Sequence, residues 1–223
     1  MIKADSAKGT VLMFHGFSSC KASMITKSEE LVKMGYNTLL VDFMGSGGSD
    51  GNETTIGFKE AEEVKACYDY LQQRGEKNIY LFGSSMGAAA ILKAINDYQL
   101  KVSGIMIECP FGTMYQTTCS RFQQMHVPTI PMAALLDFWG GLECGFNAFT
   151  YSPTNYAKSV SRPTLLMYGA LDENVSRAET DQIFANLAGK KQLVIFQRAG
   201  HDDYLVNHKK EWVSKVDRFL RGK

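Results

Sequence analysis

Gly83-Ser84-Ser85-Met86-Gly87 is a Gly-x-Ser-x-Gly pentapeptide set between an apolar run, Asn78 to Phe82, and an alanine-rich stretch, Ala88 to Asn96. A strand–turn–helix of this kind presents its serine on a sharp turn, with the hydroxyl exposed at the strand end. Glycines two residues away on each side let the chain close on itself, and the helix that follows aims its N–H groups and positive dipole end at a developing anion. The chemistry open to such a serine is nucleophilic attack on an acyl carbon. Ser84 lacks glycine at both offsets, so Ser85 is the candidate nucleophile.

A serine hydroxyl attacks only when a base takes its proton. The chain has four histidines. His15 closes an apolar run, His126 sits in a long irregular segment, and His208 falls on the solvated side of the last predicted helix. His201 lies in Arg198-Ala-Gly-His-Asp-Asp203, a loop between a predicted strand and that helix, where Gly200 allows the bend. It is the candidate base. The base in turn needs a carboxylate that fixes its tautomer and stabilises the imidazolium. Asp172 follows the run Pro163 to Gly169 and lies between Ser85 and His201 in chain order. A turn-forming, helix-capping role is the plainer reading of Asp172, and Glu108, at the end of the run Val102 to Glu108, is a rival acid. An acyl-transfer site also needs two backbone donors for the oxyanion. The N–H of Met86, next after the nucleophile, and that of Phe17, after His15-Gly16, are the candidates, with His15 bracing its loop.

The elements that must position these residues alternate. Strands are expected at Thr10–Phe14, Asn37–Phe43, Asn78–Phe82, Val102–Glu108, Pro163–Gly169 and Leu193–Phe196, each a near-continuous apolar run. Helical spacing occupies Ser18–Met34 with Ser18 or Ser19 as cap, Gly57–Arg74, Ala88–Asn96, Ser176–Leu187 and Tyr204–Leu220. The fold class is therefore α/β, a mainly parallel twisted sheet with helices on both faces. With 223 residues one domain is expected over 1–223, interrupted by a cap insertion at about 110–162 that is too long for an ordinary loop.

Composition sets the limits. The 24 basic and 23 acidic side chains leave a net charge of +1, with no basic face for nucleic acid and no cationic amphipathic stretch for a membrane surface. Gly45-Ser-Gly-Gly-Ser-Asp50 fails the dinucleotide fingerprint and reads as a flexible turn. Five cysteines without Cys-x-x-Cys spacing read as free thiols of a reducing compartment, and neither a metal nor a cofactor is expected. The residues before Thr10 do not read as a secretory leader, so none is expected, and no apolar run approaches the roughly 20 residues that span a bilayer. The expectation is a cytoplasmic chain that meets a small-molecule ester, without nucleic acid or stable membrane insertion.

Taken together, His15-Gly16-Phe17, Asp42 to Ser49, Gly83 to Gly87, Tyr168 to Asp172 and Gly200-His201 resemble the α/β-hydrolase superfamily over nearly the whole chain. The likeness is greatest to the compact group of carboxylesterases, monoacylglycerol-lipase-like enzymes, acyl thioesterases and serine aminopeptidases. It implies an α/β-hydrolase fold with a short cap between the fourth and fifth strands. Two features depart from the pattern. There is almost no room for the antiparallel hairpin that commonly precedes the His-Gly strand, and Gly45-Ser46-Gly47 stands where Gly-His-Gly is usual. The short N-terminus would leave the first strand at a sheet edge, where a second copy in a homo-oligomer could cover it.

The insertion supplies Phe111, Met114, Phe138, Trp139 and Phe146 as candidate walls of an apolar acyl pocket, among several aromatics and methionines that would pack the cap instead. The expected activity is hydrolysis of a carboxylic ester with a small or medium apolar acyl group through an acyl-enzyme. An acyl thioesterase or an aminopeptidase-like amidase would use the same constellation, and a non-catalytic ligand-binding protein on this fold is the reading from another class.

Overall fold

The computed structural model describes residues 1–222. Its six strands are β1 (Thr10–Phe14), β2 (Asn37–Val41), β3 (Ile79–Ser84), β4 (Gly104–Glu108), β5 (Thr164–Gly169) and β6 (Lys191–Phe196). They form one sheet in the order β2-β1-β3-β4-β5-β6, with every neighbouring pair parallel. The α/β architecture read from the alternating runs is the one adopted.

The edge is elsewhere than expected. β1 lies inside the sheet between β2 and β3, because the first crossover runs one way and the second returns past β1. The edges fall to β2 and β6, and on the outer side of β2 Ile2 pairs with Thr38 in an isolated antiparallel bridge. The reversal makes the β1–β3 boundary a topological switch point, where a crevice opens beyond the carboxyl ends of the strands.

Alternation along the strands divides the core. In β1, Leu12 and Phe14 face α2 (Glu60–Gln73), α3 (Met86–Tyr98) and α7 (Arg177–Asn186). Val11 and Met13 face the other layer, α1 (Ile25–Lys33) and α9 (Lys209–Leu220), where Leu31, Trp212 and Val216 are buried. Removing both layers from water, at about 25 cal/mol per Å² of apolar surface, is the main stabilising contribution.

Two helices differ from their sequence outlines. α1 begins at Ile25 behind a single 3₁₀ turn, Lys21–Met24, rather than at Ser18 or Ser19. Ser18 has φ 54°, and Asp42 captures the Lys21 N–H and ammonium at 2.6 Å each, which holds this stretch as a loop. The last helix breaks at His208 into α8 (Tyr204–Asn207) and α9. His208 is thus a junction residue whose ring packs 5.5 Å from that of Phe196. Between β4 and β5 the chain forms α4 (Met114–Gln124), α5 (Thr129–Cys144) and the short α6 (Pro153–Tyr156). Among the described residues no helix is long and apolar enough to cross a membrane.

The turn from β3 into α3 leaves no room for side chains at its glycines. A Cβ on Gly87 would lie 2.4 Å from the Phe14 carbonyl oxygen, and one on Gly83 would lie 2.6 Å from the Gly87 carbonyl carbon. Gly140, in α5, has open space around it. Gly87→Ala is therefore expected to lose about 1–3 kcal/mol through overpacking, whereas Gly140→Ala gains up to about 1 kcal/mol of helix propensity. Urea unfolding of the two variants checks both signs, and equal effects would contradict this account of the turn.

Candidate active site

Ser85 sits at the tip of that turn with φ 50° and ψ −109°, a conformation few residues other than glycine adopt. Backbone held there stores strain of order 1–3 kcal/mol and persists only when its surroundings over-determine it. Here they do. The Ser85 N–H donates to the Glu108 carbonyl at 2.8 Å, its own carbonyl accepts from Ala89 N–H at 3.0 Å, and the flanking glycines pack backbone on backbone.

The structure brings Ser85, His201 and Asp172 together from three distant segments. His201 Nε2 lies 3.0 Å from Ser85 Oγ, and Nδ1 lies 2.8 Å from Asp172 Oδ2. A carboxylate can only accept, so it fixes the proton on Nδ1 and leaves the Nε2 lone pair to the serine hydroxyl. The other Asp172 oxygen accepts the N–H groups of Asn174 and Val175 at 2.8 and 2.9 Å, which locks the carboxylate by the turn-forming behaviour typical of aspartate. Its side chain has no exposure, and that of His201 is 16% exposed. The Asp172 and His201 loops are themselves joined, since Leu171 N–H donates to the Ala199 carbonyl at 2.8 Å. At the same place a Cβ on Gly169 would lie 2.3 Å from the Gly200 oxygen.

Glu108, the rival acid, is committed elsewhere. It is fully buried, with Oε2 accepting from the Lys27 ammonium at 3.0 Å and Oε1 from the Trp212 indole at 2.8 Å. His15 is also buried. Its Nε2 accepts the Phe43 N–H at 3.2 Å, and its Nδ1–H donates to the Gly16 carbonyl at 2.7 Å, so the ring braces the β1 loop against the end of β2. Among the described residues the N–H groups of Phe17 and Met86 have no protein acceptor, and both residues line the cavity onto which Ser85 opens. Cys109, which composition marked only as a free thiol, places Sγ 4.0 Å from His201 Nε2. Cys109, Asp172 and His201 hold ligand-type atoms within 4.8 Å of one another, but hydrogen bonds within the relay already occupy both Asp172 oxygens and both ring nitrogens.

The cavity has a volume of about 360 Å³ and is walled by Phe17, Ile56, Met86, Phe111, Met114, Thr117, Thr118, Arg121, Phe122, Met125 and Leu136 around Ser85. Phe111 and Met114, two of the candidate pocket walls, line this cavity. Phe146 does not reach this cavity; it lines an adjoining space of about 250 Å³ that shares Ile56, Met114, Thr118 and Leu136. Phe138 and Trp139 are corrections, since they are 53% and 60% exposed and neither lines the cavity. α5 turns only Ala133, Asp137 and Gly141, a stripe at i, i+4 and i+8, toward the protein. Of its large apolar side chains Leu136 reaches the cavity, whereas Ile130, Met132, Leu135, Phe138, Trp139 and Leu142 are exposed. The wall was missing from the sequence reading at Ile56, whose position is set by the buried Glu60 carboxylate gathering Thr54, Thr55 and Gly57 around it.

Burial opposes a charge on His201, while the neighbouring Cys109 sulfur and the Asp172 carboxylate favour it, and the outcome is a pKa raised above the ordinary 6.5. An NMR titration of the ring is expected to give an apparent pKa above 6.5. In Asp172→Asn the imidazolium loses its charged partner, so the value must fall; an unchanged or higher value would contradict the pairing.

Residues 5–137 match the family described as serine aminopeptidase, S33. The chain is 23% identical over 215 residues to the uncharacterized protein YqkD of Bacillus subtilis, spanning 95% of this chain and 70% of YqkD. It is 20% identical to the lysophosphatidylserine lipase ABHD12 of Danio rerio, of which it spans about half, 52%. Among solved structures, a form of the Pyrococcus furiosus esterase Pf2001 superposes with a TM-score of 0.78 at 25% identity, covering 96% of this chain and 82% of that one. The Paleococcus ferrophilus monoacylglycerol lipase superposes with a TM-score of 0.72 at 16% identity, covering 97% of each chain.

Proposed function

Starting from the fact that this chain belongs to the serine aminopeptidase (S33) family of α/β hydrolases, we propose that it cleaves a carboxylic ester with a small or medium apolar acyl group through an acyl-enzyme on Ser85. The hydrogen-bonded line Ser85–His201–Asp172, at 3.0 and 2.8 Å beside an apolar cavity, carries this reading.

In the first half-reaction Ser85 Oγ attacks the carbonyl carbon as its proton passes to His201 Nε2. The tetrahedral oxyanion accepts from the Phe17 and Met86 N–H groups, a type of contact worth about 2.7–4 kcal/mol per donor in the transition state. Collapse breaks the bond to the alcohol, whose oxygen takes the proton from Nε2. Water then gives a proton to Nε2 and its oxygen attacks the acyl carbon, and release of the acid returns the proton to Ser85. Asp172 stays ionised throughout and stabilises the imidazolium. The segment at 110–162 acts as the cap, with α4 supplying Met114, Thr117, Thr118, Arg121 and Phe122 to the acyl wall.

Amide cleavage after a free amino terminus is the second reading, and the family's description favours it. The cavity argues for the ester. A substrate α-ammonium calls for a carboxylate, whereas the one charged residue in the wall is Arg121.

A fluorophosphonate probe is expected to label the native chain and not Ser85→Ala. His201→Ala should keep the native circular dichroism while losing turnover of p-nitrophenyl esters by about 10³-fold or more. In a panel of acyl esters, thioesters and amino-acyl amides, kcat/KM is expected to be highest for short and medium acyl esters. Unlabelled native protein would point to a non-catalytic member of the family, and a preference for amino-acyl amides would favour the second reading.

A further inference from the structure

We propose that Lys27 is a positioning residue for His201, its buried ammonium tying the loop that carries the imidazole to the strand end that holds Ser85. This rests on the serine-hydrolase reading above. Lys27 belongs to α1, and its side chain is 3% exposed. Its Nζ donates to Glu108 Oε2 at 3.0 Å and pairs with Asp203 Oδ1 at 3.2 Å. It stands over the Phe82 ring, 5.7 Å from the centroid. Glu108 is held by the Trp212 indole, and its backbone carbonyl accepts the Ser85 N–H. Asp203, two residues after His201, also caps α8 by accepting the Leu205 N–H at 2.9 Å. A single ammonium therefore bridges the frame of the nucleophile and the loop of the base.

The His201 loop needs that bridge. On its N-terminal side the Ala199 carbonyl is tied to Leu171 of the Asp172 loop. On its C-terminal side the bonds donated by Asn207 to Asp202 and by the Leu205 N–H to Asp203 are local. Among the described residues, Lys27–Asp203 is the long-range polar tie there. A buried ion pair gives a protein little net stability, since apolar residues of similar volume often do as well or better. Fixed geometry is what remains for it to contribute, and a misplacement near 1 Å can lower turnover about 100-fold.

The trio also acts on the charge of the imidazole. Asp172 and Cys109 approach the His201 ring, Lys27, Arg121, Asp202 and Asp203 border the same space, and Glu108 stands behind Lys27. Burial disfavours the Lys27 ammonium but Glu108 and Asp203 outweigh it and raise its pKa, so it stays charged. Without that cation the two carboxylates would favour the imidazolium further. Without the Asp203 charge the imidazolium would be favoured less.

Lys27→Met, Lys27→Arg and Asp203→Asn of the full chain test this with p-nitrophenyl butyrate, normalised to sites titrated by fluorophosphonate. Lys27→Met is expected to lower kcat about 10- to 100-fold with little change in KM, and to move the ascending limb of the pH–rate profile to higher pH. Asp203→Asn lowers kcat less and moves the limb to lower pH, and Lys27→Arg restores most of the native rate. A folded Lys27→Met variant with native kcat and an unmoved limb overturns the proposal, as does a loss of melting temperature alone. If Lys27→Met does not fold, Asp203→Asn decides, and native kcat with an unmoved limb again overturns it. A native chain with neither turnover nor Ser85 labelling overturns the hydrolase reading itself, and this proposal with it.

Discussion

All six strands end on one rim of the sheet, and that common polarity is the constraint on which everything else depends. Ser85 follows β3, Asp172 follows β5 and His201 follows β6, so three loops far apart in sequence open onto the same side. With β1 adjacent to β3, the Phe17 and Met86 amides also meet there. Parallel strands require crossovers, the crossovers become the helices of both faces, and those helices bury the apolar sides of the strands. The packing that stabilises the fold and the geometry that assembles the site therefore have one cause.

On that rim the polar groups fall into two sets with different surroundings. Ser85 and His201 border open cavities, and Asp172 is shut away behind them, one oxygen held by two backbone amides and the other by the His201 ring. Glu108 and Lys27 lie deeper, between β4, α1 and α9, and touch no substrate space except through the ammonium. Asp172 is turned toward Nδ1 of the imidazole, whereas Glu108 is turned toward Lys27 and Trp212. What separates them is their partners. A carboxylate saturated by an ammonium and an indole has nothing left to offer a neighbouring ring.

Much of this could be read in the chain, and the reasons for success and failure are physical. The turn at Ser85 and the loop ends at Asp172 and His201 are announced by local chemistry, since glycines and apolar runs mark strand ends wherever they occur. The choice between Asp172 and Glu108 needed Lys27 and Trp212, which are 81 and 104 residues from Glu108 in sequence. Lys27 did leave a trace, for it sits one helical turn before the buried Leu31, on the apolar stripe of α1. Phe138 and Trp139 were misplaced for a different reason. α5 is apolar nearly all round, so its pattern defines no inner face, and the small residues Ala133 and Gly141 with Asp137 set its orientation. The edge position of β1 was misjudged because strand order is decided by crossovers, which leave no mark in any single segment.

The close passage of Gly169 against Gly200 carries a consequence for anyone who maps this chain by saturation mutagenesis. A side chain at Gly169 would wedge the Asp172 loop from the His201 loop while leaving Ser85, Asp172 and His201 unaltered. Under the proposed reaction, a screen scored by colour alone would rank such variants with Ser85→Ala. A map of tolerated substitutions would then paint Gly169 in the same shade as the proposed proton carriers, although it has no side-chain group able to act as one.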